Sequence, residues 1–275
     1  MATQSDSPRC APSAPHVDDV PQPPFYERVL ILATTGVLIA LAAFYLKGME
    51  PVRTAAATYD AAMAAMGMAP TPWSFRELTV AAAMWTVMMV GMMAGAAAPV
   101  ILVYAATRRH RGQRVTPTSL VMFGTGYFLV WVAFSLWAAL IEALLHNYAL
   151  LTAEQALRGA VFGGSLLILA GLYQVSSWKD ACLQHCRRPL GFLLAHWQDG
   201  RRGALLMGLR HGLFCVGCCW ALMLLLFVAG TMNLIWVALL AVFVLLERLH
   251  PIPIALSRAA GFALVTAGLA AIYLG

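Results

Sequence analysis

Charge is what this sequence has least of: Asp, Glu, Lys and Arg together make 11% of its 275 residues, against roughly 25% in soluble domains. With 61% of residues hydrophobic and a mean hydropathy of +0.76, too little polar surface remains to cover a soluble globule. Phosphate-cradling chemistry is missing too, since no GxxxxGK[ST] loop is present, and ATP-driven pumping by this chain alone is unsupported. Neither a G-x-S-x-G nucleophile elbow nor an H-E-x-x-H zinc helix occurs. The N-terminal region lacks the basic start and immediate hydrophobic core of a signal peptide, so the first apolar helix is expected to be retained. Residues 1–24 are instead proline-rich with Asp18 and Asp19, and read as a disordered cytoplasmic tail ahead of a membrane domain at 25–275.

What the chain has in quantity is long apolar runs. A crossing helix needs about 20 mostly apolar residues. Stretches at 28–47, 78–106, 118–145, 159–177, 211–229, 233–247 and 257–274 meet or approach that length. The fifth and sixth come from one run, divided at Ala229-Gly230-Thr231-Met232-Asn233, where the only turn signals predict a tight hairpin or a re-entrant pair. The fold expected is an all-α polytopic membrane bundle of about seven transmembrane helices.

The net charge of +6 suggests nucleic acid until the charges are located. Arg108, Arg109, Arg111 and Arg114 come after the second run without an acid; Lys179, Arg187, Arg188, Arg201 and Arg202 come after the fourth; Arg248 and Arg258 come after the sixth. The alternate loops balance Lys47, Arg53 and Arg76 with Glu50, Asp60 and Glu77, and Arg158 with Glu154. Basic loops face the cytoplasm, which predicts an inside N-terminus and an outside C-terminus.

Five of the six cysteines fall in two clusters. Cys182 and Cys186 lie four apart in KDACLQHCRRP, where Pro189 is expected to end a helical extension; Cys215, Cys218 and Cys219 lie in FCVGCCW on the fifth span. At 100° per residue, His211 and those three cysteines cover an arc of about 100° over roughly 12 Å of axis, with Met207 beside them. Both clusters fall at the cytoplasmic side, where thiols stay reduced. His185 and His211 are within reach of them. Thiolates and thioethers select Cu(I), with zinc and iron–sulfur clusters competing for the thiolates. Membrane cysteines also serve as small packing hydrophobes, but two helically spaced clusters on one side favour ligands.

Met84, Met88, Met89, Met92 and Met93 crowd the second span, and Met63, Met66 and Met68 precede it. Thioethers bind Cu(I) without deprotonation, which suits an oxidising exterior, although Met also fills gaps between helices. With the inner thiols, these residues suggest a relay from inside to outside. Glu142 and His146, one turn apart, form a candidate hard-ligand or proton pair, with a structural pair the better reading. Glu247, Arg248 and His250 read as an interfacial anchor. Gly91, Gly95, Gly163, Gly164, Gly212 and Gly217 allow close helix approach. Tyr127, Trp131, Trp178 and Trp236 are interface anchors or site walls.

The strings MWTVMMVGMM, GYFLVW, AGLYQVSSWKDACLQHCRRPL and the run from Gly208 to Arg248 resemble a bacterial family described as predicted metal-binding integral membrane proteins, over about residues 78–272. That family is a domain of unknown function with members proposed as copper chaperones maturing secreted tyrosinases and laccases. The resemblance implies copper handling, with Cys182, Cys186, Cys215, Cys218 and Cys219 as ligands and Met88, Met89, Met92 and Met93 as weaker ones. The leading expectation is therefore a non-enzymatic Cu(I) chaperone or transfer protein supplying an extracytoplasmic copper oxidase or other cuproprotein. A membrane thiol–disulfide oxidoreductase using Cys215 and Cys218 is the alternative of a different class. A structural subunit of a membrane complex, with incidental cysteines, is the third.

Overall fold

The computed structural model describes residues 25–66, 72–148, 150–151, 156–157, 159–231, 233–248 and 254–274. The expected N-terminal tail, Cys10, Met68 and His250 lie outside the described residues. Among those described, the regular elements are helices: α1 (Phe25–Ala65), α2 (Phe75–His110), α3 (Pro117–Asn147), α4 (Ala160–Gln174), α5 (Ser177–Arg187), α6 (Pro189–Ala195), α7 (Gly200–Leu224), α8 (Leu226–Ala229), α9 (Leu234–Arg248) and α10 (Ile254–Leu274).

Local chemistry sets several boundaries. Ser74 donates its N–H to the Glu77 carboxylate at 2.6 Å, opening α2. Thr116 accepts from the Ser119 N–H at 3.3 Å, with Pro117 occupying the first position of α3, where its missing N–H costs nothing. Ser176 caps α5 by accepting from Lys179 N–H at 3.2 Å. Pro189 stops α5 as expected and starts α6.

Among the described residues, five helical segments are long and apolar enough to cross a membrane: Arg28–Ala55, Phe75–His110, Pro117–Asn147, Gly200–Ala229 and Ala255–Leu274. A sixth is available if α4 and α5, bent by 62° at their junction, act as one span. The expected sixth stretch, 233–247, corresponds to α9, whose 15 residues extend about 22 Å, less than a hydrocarbon core of about 30 Å. The division between α8 and α9 falls at Gly230, whose φ of 88° suits glycine. One expected loop is absent: α1 continues through Pro51 to Ala65, carrying Met63 with it.

Glycine lets the central helices touch backbone to backbone. A Cβ on Gly208 of α7 would stand 2.0 Å from the Phe123 carbonyl oxygen of α3, and one on Gly126 of α3 would stand 2.1 Å from Leu205 O of α7. A matching approach joins α4 to α10, where a Cβ on Gly164 would lie 2.7 Å from Gly268 O. A contiguous apolar core then runs from Met84, Met88, Met89 and Met93 of α2, past Trp131 of α3, to Cys215, Cys218, Cys219 and Met223 of α7.

Candidate metal centre

The three cysteines of α7 are almost wholly buried, as their helical spacing requires of a stripe facing neighbouring helices. Cys218 and Cys219, three and four residues after Cys215, both donate their thiols back to the Cys215 carbonyl at 3.1 Å. That back-bonding gathers their sulfurs on the side of the helix where Cys215 Sγ lies.

From α5, Cys186 Sγ comes to 3.9 Å from Cys218 Sγ. Cys182 is half-buried and lies close to α7 because position 217 has no side chain: a Cβ on Gly217 would meet Cys182 Sγ at 2.9 Å. Tyr173 of α4 donates to the Gly217 carbonyl and binds the same turn from another side. The two cysteine clusters, 29 residues apart between Cys186 and Cys215, therefore meet as expected. All five thiols are free.

Two groups that were not expected among the ligands enter this neighbourhood. Tyr127 of α3 places its hydroxyl 2.9 Å from Cys215 Sγ, which makes it a wall of the site. Arg248, expected at the membrane interface, turns inward instead. Its Nη2 donates to Cys215 Sγ at 2.9 Å, Cys218 Sγ at 3.4 Å and Cys219 Sγ at 3.5 Å. A guanidinium is permanently charged, so burying it in an apolar bundle requires such electron-rich partners.

Its neighbour Glu247 is also buried rather than interfacial. Both carboxylate oxygens accept from Lys179 Nζ at 2.7 Å, and Ser257 donates to the same carboxylate at 2.8 Å. Gln174 donates to it as well. Arg187 Nε donates to the Glu247 carbonyl at 2.7 Å. This network ties α4, α5, α9 and α10 together and fixes the end of α9 from which Arg248 reaches the sulfurs. Lys179 and Arg187, expected as loop charges, are thus partners within the fold.

The histidines divide. His211 is buried, with its Nδ1 without a hydrogen-bond partner among the described residues. It shares a cavity of about 160 Å³ with Cys186, Arg187 and Arg248. His185 is directed elsewhere, stacked on Phe214 with ring centres 4.1 Å apart. Met88, Met89 and Met93 are buried in the core that contains the cysteines, and Met92 is half-buried against it. Glu142 is wholly buried but its bonds run to the Arg53 guanidinium and the Trp85 Nε1–H, the latter at 2.6 Å. His146 packs against Trp73 with the rings tilted by 34° and their centres 5.1 Å apart. The carboxylate expected to pair within its own helix is thus held mainly from α1 and α2.

Among the described residues no three His, Cys, Asp or Glu side chains already stand in metal-holding geometry. The sulfurs surround a guanidinium nitrogen. A cation binding them must displace that nitrogen, since two positive centres cannot share one position.

Membrane-length helices folded around a cluster of free thiols define an all-α membrane protein with a buried sulfur-rich centre. Residues 82–271 match the family model PpoB2, described as a copper chaperone, and the chain belongs to that family. No curated protein and no solved structure matches the chain. Membership makes copper the cargo and makes the protein a chaperone, not an enzyme.

Proposed function

We propose that the chain holds copper as Cu(I) at Cys215, Cys218 and Cys219, with Cys186, Cys182 and His211 at the margin, and passes it towards an extracytoplasmic cuproprotein. The observation that carries this is the convergence of sulfurs from two helices, with Cys186 Sγ 3.9 Å from Cys218 Sγ. Thiolates are soft donors suited to Cu(I). The methionines Met88, Met89, Met92 and Met93, packed in or against the same core, are the onward thioethers. His185 joins only if α5 rotates away from Phe214. The proposed arrangement has the N-terminus inside and the C-terminus outside, with the thiols near the cytoplasmic face of a bacterial inner membrane. This agrees with the alternation of basic loops.

The test is Cu(I) titration of purified, reduced protein against a chromophoric Cu(I) chelator. Stoichiometric binding is expected. Replacing Cys215, Cys218 and Cys219 by Ser together should weaken it at least about a hundredfold, roughly 2.7 kcal/mol. Unchanged affinity in that triple variant removes these thiols from the site. Met88→Leu with Met92→Leu should leave this affinity within a few-fold of wild type and instead slow transfer to a copper-accepting protein.

A further inference from the structure

The thiols account for only one side of Arg248. Arg248 also lines the cavity of about 160 Å³, well above the space one water needs, together with Cys186, Arg187 and His211 among apolar residues. Three buried nitrogens from those lining residues lack a hydrogen-bond partner among the described residues: Arg187 Nη2, Arg248 Nε and His211 Nδ1. Buried polar atoms are nearly always satisfied, so unpartnered guanidinium N–H groups from two residues that line one cavity identify a place for an acceptor; His211 Nδ1 joins them in the tautomer that carries its proton there.

The charge of the wall selects the kind of acceptor. Two guanidinium groups line the cavity and, among the described residues, no Asp or Glu does. The one carboxylate nearby in sequence, Glu247, is engaged by Lys179 through both oxygens, and Arg187 reaches only its backbone carbonyl. Arg248 is 9% exposed and His211 is 1% exposed, so bulk water does little to screen them. Guanidinium N–H groups bind ionised acceptors more strongly than neutral ones.

We propose that this cavity is a binding site for a small monovalent anion, a halide or a short carboxylate, held by Arg187 and Arg248 with His211 completing the wall. The size excludes a nucleotide or a whole peptide thiol. Arg248 belongs to both sites: its Nη2 is on the sulfurs, its Nε has no partner among the described residues, and its side chain lines the cavity. If copper takes the sulfurs as proposed above, the anion gives the displaced Arg248 a partner, so anion and cargo bind cooperatively. The anion site itself does not depend on copper.

The experiment uses full-length, metal-free protein in neutral detergent. Thermal unfolding is followed while chloride or formate replaces gluconate at constant ionic strength. A saturable rise of the midpoint with chloride or formate, absent in Arg187→Gln, is expected; the anion that acts at lower concentration identifies the class. The same response in gluconate alone, or an undiminished response in Arg187→Gln, overturns the proposal. Should Arg187→Gln fail to fold, chloride-35 NMR line broadening by the wild-type protein gives the answer. Broadening reversed by formate but not gluconate supports the site, and broadening no greater than that of the detergent blank overturns it. Stoichiometric Cu(I) binding with no anion response leaves the copper reading standing and the anion site refuted.

Discussion

At the scale of single residues, the buried charges decide the character of the core. Arg53 and Glu142 meet away from solvent, with Trp85 donating to the same carboxylate. Removing one partner of such a pair strands the other in an apolar setting and costs about 3–5 kcal/mol, whereas replacing both by apolar residues is often neutral. Arg53→Met should therefore lower stability by about 3 kcal/mol, and Arg53→Met combined with Glu142→Leu should recover most of it. Unfolding of the detergent-solubilised protein checks this; a double variant no more stable than the single one would mean the pair is held for another reason. Arg53 and Arg248 also mark the limit of what sequence conveys. A basic residue near a span end signals depth, but the rotation of its helix and the neighbour it faces are tertiary properties. The clustering of Cys215, Cys218 and Cys219 was legible because it arises from helical spacing. The entry of Arg248 and Tyr127 was not, because each comes from a different helix.

At the scale of the element, α7 carries the site and its position depends on contact with α3. Gly208 and Gly126 make that contact possible, since any Cβ there overlaps carbonyl oxygens at 2.0–2.1 Å. Gly208→Ala should cost about 2–3 kcal/mol by overpacking, or shift α7 and spread the sulfurs. Gly124→Ala, on α3 where a Cβ meets nothing within 4 Å, should be neutral or stabilise by up to about 1 kcal/mol. Thermal unfolding with thiol labelling of the native state separates the two, and equal behaviour would show that the α3 to α7 approach is not tight. Helix positions were largely readable from the apolar runs, whereas their continuations were not. The segment after Lys47 has charges enough to resemble a loop, yet Val52 to Ala65 is rich in alanine, whose helix propensity keeps α1 going.

At the scale of the molecule, the number of crossings fixes the relation between the two ends of the described chain. Five helical segments qualify alone, the bent pair α4 and α5 supplies a sixth, and α9 is too short by length to qualify. An even number of crossings puts both termini on one side; an odd number separates them. The basic-loop pattern calls for separation with the bent pair crossing as a sixth span, which requires that α9 also pass from one face to the other. Arg248 at its end is buried among thiols instead of sitting in lipid headgroups, and α9 can complete a crossing only where protein or a thinned bilayer shortens the path. The proposed arrangement predicts that a fluorescent reporter fused to the C-terminus stays dark while a periplasm-dependent phosphatase at the same point is active, with the opposite result at the N-terminus. If both termini report the cytoplasm, the crossings number six and α9 lies within the bundle without traversing it. The thiols would then stay near the cytoplasmic face, because their side is set by the loops before α7 and not by the path of α9 and α10, but Arg258 and the C-terminal end of α10 would exchange sides.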